Sequence, residues 1–138
     1  MGWLIYAFAS AAAAAATAIL AKVGVEGVPS TLATAFRTTV VLVMAWALAL
    51  AFGERQALLA MPRRSWIFLS LSGVATGLSW LAYFRALQLG PASRVAPIDK
   101  LSLPMTIVLA AVALGETITW KVGVGVAMMT AGALLTIL

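Results

Sequence analysis

The sequence predicts an all-α integral membrane protein with five transmembrane helices, and three observations carry that prediction. Five apolar blocks fill almost the whole of the 138 residues, each near the roughly 20 that an α-helix needs to cross about 30 Å of hydrocarbon. Hydrophobic residues make up 64% of the chain and charged residues 9%, a balance that a soluble domain of this size could not hide in one core. Trp3, Trp66 and Trp120 each open an odd-numbered block. Alternating spans put all three at one interface, where an indole keeps its ring in the acyl boundary and its N–H wet.

The first span is expected at 3–21. Its start has a small-residue run, Ala11 to Ala16, but no basic leader, and four more spans follow, so it reads as a retained helix. Pro29 precedes the second span, 31–52. The one substantial polar connection, 53–65, carries Glu54, Arg55, Arg63 and Arg64, and Pro62 stops the preceding helix from continuing. The third span, 66–89, contains the small pair Gly73 and Gly77, which permits close helix approach. Gly90-Pro91 is a tight turn before the fourth span, 93–114, and the fifth, 120–138, repeats small residues at Gly123, Ala127 and Ala131. Five is odd, so the termini face opposite sides. Side A denotes the side of Met1 and side B the other.

Composition also bounds the chemistry. Cysteine and histidine are absent and there are only four carboxylates, so hydrolytic, redox or zinc-dependent sites have few possible parts. An enzyme is not expected, nor a cofactor, nor a metal. The net charge of +5 is scattered over short loops and span ends, which suits anionic lipid headgroups better than nucleic acid.

Lysine and arginine divide almost evenly. Arg55, Arg63, Arg64 and Lys121 fall on side A, and Lys22, Arg37, Arg85, Arg94 and Lys100 on side B. If Arg37, Arg85 and Lys100 are embedded, the balance favours side A in the cytoplasm; otherwise insertion in both orientations is open. An ionisable side chain within a span costs about 2.5 to 3.5 kcal/mol on insertion scales and normally faces protein or water. Arg37, Arg85, Asp99 and Lys100 qualify, all in the side-B leaflet. They predict a water-filled cavity open to side B, with Asp99 paired to Arg37 or Lys100 and the surplus positive charge favouring a small anionic substrate. The alternative is a ligand-free ion pair with the long cationic chains reaching the headgroups.

In the fourth span Asp99, Ser102 and Thr106 share one stripe, so Ser102 and Thr106 join the candidate lining. Pro97 and Pro104 each remove a backbone donor, which predicts a kink or gate there.

The run from Tyr83 to Leu103, YFRALQLGPASRVAPIDKLSL, followed by Leu114-Gly115-Glu116, resembles the EamA domain of the drug/metabolite transporter superfamily. The resemblance covers the whole chain with its five spans. Most relatives carry two such domains in tandem with opposite orientation, and this chain has one. The last span, with Gly125 and Gly132, also resembles the dimerising helix of small multidrug resistance proteins, which form antiparallel homodimers. The resemblance implies a secondary transporter or exporter of small metabolites in the cell (inner) membrane. It would work by alternating access as a ten-helix, inverted-topology homodimer, with Gly125, Met129 and Gly132 at the contact. The membrane-embedded glutamate of those small exporters is missing from the first span, so their cation coupling does not follow. Glu116 matches the recurrent Gly-Glu before the last span and is expected, with Thr117 and Thr119, to cap that helix. Other readings are a non-transporting half-module that packs on another membrane protein, and a passive anion channel.

Overall fold

The computed structural model describes residues 2–138, with Arg55 described by its backbone alone. Every regular element among the described residues is an α-helix: α1 (Gly2–Gly24), α2 (Ser30–Ala51), α3 (Arg55–Leu59), α4 (Arg63–Leu89), α5 (Ala92–Asp99), α6 (Ser102–Leu114) and α7 (Trp120–Leu135). Four apolar stretches are long enough to cross a bilayer: α1, α2, α4 and the Ala92–Leu114 stretch formed by α5 and α6. α7 is apolar but has 16 residues, about 24 Å at the usual rise per residue. The chain is thus a multi-pass membrane protein with four long spans and a shorter fifth apolar helix.

Helix ends follow local chemistry. Pro29, at φ −54°, caps the start of α2, and its carbonyl accepts the Ala33 N–H at 3.0 Å. At the other end Gly53 adopts φ +73°, a left-handed conformation that glycine takes without a Cβ penalty. Its N–H donates to the Leu50 carbonyl and the Glu54 N–H to that of Ala49, which satisfies two carbonyls that the helix end would otherwise orphan. The polar connection then winds into α3, and α4 starts at Arg63 directly after Pro62 rather than at Trp66.

The fourth span differs from a single kinked helix: it is two helices divided at Lys100–Leu101. Pro104 has no N–H to offer the Lys100 carbonyl, and the Leu103 N–H takes that acceptor instead at 2.9 Å. Lys100 N–H reaches both Ala96 and Pro97, and Leu101 N–H reaches Ile98. Bonding therefore tightens to i→i−3 across the break, the 3₁₀ pattern that a mid-helix proline pair favours.

The chain forms two compact units, residues 20–88 and residues 1–19 with 89–138. In the 20–88 unit the buried side chains are Ala21, Val25, Thr34, Phe84 and Leu87. Thr34 is the buried polar one, and its hydroxyl donates to the Ser30 carbonyl at 2.8 Å. In the other unit α7 packs on α5 and α6 and buries Ala133. The close approaches expected at Gly73, Gly77 and Gly123 are not made among the described residues, since a Cβ at any of them would meet nothing within 4 Å.

Candidate functional site

The 20–88 unit gathers its polar side chains where α1 ends, α2 begins and α4 ends. The link between α1 and α2 turns through Gly27, at φ +72°, and leaves carbonyls that no helix ladder fully uses. Gln88 supplies them with donors. Its Nε2 donates to the Val28 carbonyl at 2.6 Å and to that of Val25 at 3.3 Å, while its Oε1 accepts from Arg85 Nη1 at 3.2 Å. Lys22 Nζ donates to the Leu87 carbonyl at 2.6 Å. The C-terminal turn of α4 is thereby latched to the α1–α2 link, which sets the depth at which the two helices face each other.

One and two turns deeper on the same face of α4 stand Phe84 and Trp80, at i−4 and i−8 from Gln88. Opposite them Arg37, seven residues into α2, places its guanidinium carbon 4.2 Å from the Trp80 ring centre and 5.4 Å from that of Phe84. Such a cation over an aromatic face gains about 0.5 to 2 kcal/mol, more as water is excluded. The side chain is partly buried and Phe84 is buried. No carboxylate among the described residues pairs with Arg37.

In the second unit Asp99 is paired with Lys100, its neighbour, at 3.2 Å. The Lys100 and Asp99 side chains are 56% and 34% exposed, and the pair sits at the break between α5 and α6. Thr106 donates its hydroxyl to the Ser102 carbonyl at 2.8 Å, which leaves that oxygen as an acceptor. Pro97 lies inside α5 and Pro104 in the first turn of α6. Each of the two charged groups is thus organised within its own unit.

On α7, Gly125 and Gly132 are open to any approach, and Met129 is exposed. The cap of α7 is Thr119, whose hydroxyl accepts the Val122 N–H at 3.4 Å. Glu116 contributes its backbone N–H, to the Ala110 carbonyl, after Gly115 at φ +69°. At the far end of α2 an open cleft of about 310 Å³ is lined by Trp46, Leu50, Leu58, Met61 and their neighbours, with Glu54 its charged side chain among the described residues. A carboxylate in an apolar cleft does not suit an anion.

Sequence reasoning missed Trp80, Phe84 and Gln88. Their signal is the i, i+4, i+8 spacing on α4, facing a helix that carries an embedded arginine.

Long apolar helices, one of the long spans interrupted, describe a multi-pass membrane protein. The sequence profile of the EamA-like transporter family matches residues 1–138, and the chain belongs to that family. It is 51% identical over 133 residues to a Sinorhizobium sp. protein named "Uncharacterized transporter in cobO 3'region", an alignment covering 96% of this chain and 94% of that protein. No solved structure matches it.

Proposed function

We propose that the protein is a secondary transporter of small metabolites that works by alternating access as an inverted-topology homodimer in the cell (inner) membrane. The observation that carries this reading is the division of the fourth span at Lys100–Leu101, with an ion pair at the break. Discontinuous helices of this kind surround substrate sites in transporters, because irregular backbone at membrane depth is tolerated where protein or a watery cavity satisfies it. α7, extended by the turn through Thr136 and Ile137, serves as the fifth crossing.

Two further features support the dimer. The small-residue faces at Gly73 with Gly77 and at Gly125 with Gly132 are unfilled within one chain and suit close helix contact where lipid gives no hydrophobic drive. With Arg37 set deep but Arg85 and Lys100 exposed, the remaining basic residues are Arg55, Arg63, Arg64 and Lys121 on one side and Lys22, Arg85, Arg94 and Lys100 on the other, an even division that favours no single orientation. Two copies in opposite orientation give two related end states, one open to each side.

The chain has no native cysteine, so single cysteines introduced at positions 2 and 138 report topology cleanly. Labelling with a membrane-impermeant maleimide in intact cells should modify a fraction of molecules at each end. Modification confined to one end in every molecule contradicts the inverted homodimer.

A further inference from the structure

Arg37 is held in an unusual way for an arginine in an apolar helix. A long cationic chain that merely escapes the hydrocarbon reaches toward the nearer helix end. Here that end is marked by Gln88 and the α1–α2 link, and Phe84 lies closer to it than Trp80 does. The guanidinium nevertheless sits nearer the deeper ring, 4.2 Å from Trp80 against 5.4 Å from Phe84. Trp80 is nine residues from the end of α4 at Leu89, a depth of about 13 Å. The charge is therefore retained inside.

Its donors remain unspent. The nearby cations Lys22 and Arg85 donate to the Leu87 carbonyl and to Gln88. Thr34, Thr38 and Thr39 on α2 each donate a hydroxyl to the carbonyl one turn back. Arg37 has only ring faces against it, and none of its five N–H groups meets an acceptor among the described residues. This end of the unit carries Lys22, Arg37 and Arg85 against one carboxylate, Glu26, which is exposed in the link. A partly buried guanidinium with free donors and a local surplus of positive charge calls for an oxyanion: the planar fork takes two oxygens at once, and the interaction strengthens as water is excluded.

We infer that Arg37, seated on Trp80 and Phe84, is an oxyanion-binding group that takes a carboxylate or phosphate through two parallel N–H bonds. Trp80 and Phe84 are positioning residues that hold the guanidinium at depth, and the Gln88 latch fixes their register. The assignment rests on the transporter reading in that it makes such an anion the cargo. The same chemistry is offered by a free solute or by a lipid headgroup.

The binding itself is separable from transport. Purified protein in maltoside micelles free of phospholipid is titrated with inorganic phosphate, with succinate and with phosphatidylglycerol, following tryptophan emission and heat. At least one titrant should saturate, with an emission change that disappears in Trp80→Phe. Arg37→Lys, which keeps the charge but loses the fork, and Arg37→Gln should each raise the Kd at least tenfold, with helical circular dichroism retained. Arg63→Gln, at the far end of α4, should bind as the parent does. Saturation by phosphate or succinate assigns a solute site, and saturation by phosphatidylglycerol alone assigns a headgroup site; both support the oxyanion group. No saturation by any titrant, or equal affinity in parent and Arg37→Lys, overturns it. Arg37-dependent binding without flux in liposomes leaves this inference standing and removes the transporter reading. Saturable flux that Arg37→Lys does not alter, together with no Arg37-dependent binding of any of the three titrants, does the reverse.

Discussion

The Arg37 guanidinium carbon lies 4.2 Å from the centre of the Trp80 ring, across the interface between α2 and α4. This single contact relates the charge that the sequence marks in the second span to a ring in the third. A double-mutant cycle measures it. Arg37→Leu and Trp80→Leu, made singly and together, should show a coupling of about 0.5 to 2 kcal/mol in detergent unfolding; additive effects would mean that the two side chains are neighbours without an energetic link.

Gln88 is expected to matter more than its ordinary polarity suggests. Gln88→Leu removes the Nε2 donor from the Val28 carbonyl and from that of Val25, which keeps the Val28 N–H, and should cost about 1 to 3 kcal/mol, the range for leaving a partly buried polar group unpaired. Gln88→Glu keeps an acceptor for Arg85 but loses both donors, so it should resemble the leucine variant. Hydrogen exchange at residues 25–28 should speed up in both and stay unchanged in Arg85→Gln.

The break in the fourth span has a specific cause that can be undone. Pro104→Ala restores an N–H that can reach the Lys100 carbonyl, which now accepts from Leu103. The α5–α6 stretch should then become one helix, with slower amide exchange across residues 101–105. Transport should fall if the break is part of the working cycle, whereas unchanged flux in a straightened helix would make the break incidental.

Much of this was legible in the sequence because hydropathy sets where helices cross a bilayer. Every predicted span contains a helix; Gly53 and Gly115 follow the ends of α2 and α6 in the left-handed conformation, and Pro62 directly precedes α4. The Lys100–Leu101 division was half legible: two prolines seven apart predict disturbance, but not that the ladder switches to i→i−3 bonding. The partner of Arg37 was not legible. Nothing local to α2 says which ring of α4 it meets, since that depends on the depth set by the Gln88 latch. At the start of α7 Thr119, one of the three residues expected to cap that helix, is the one whose side chain accepts, because it has extended backbone next to the helix, at ψ 154°, where a side-chain oxygen can turn back to the N–H three residues on.

The predicted dimer contact is testable on α7. Gly125 and Gly132 are seven residues apart, which places them on one face, and a Cβ at either meets nothing within 4 Å among the described residues. Replacing both by isoleucine should abolish cross-linking between protomers in lipid. A double variant as dimeric as the parent would move the contact elsewhere, with Gly73 and Gly77 the next candidates.

Transport is tested most directly by counterflow. Purified protein reconstituted into liposomes is screened with labelled anionic, zwitterionic and cationic metabolites. For at least one of them, uptake should saturate and should accelerate when the vesicles are preloaded with unlabelled substrate, as a carrier that alternates between two sides requires. Flux that rises linearly with concentration and ignores the preload, or no flux for any class from protein shown to be folded and inserted, contradicts the account.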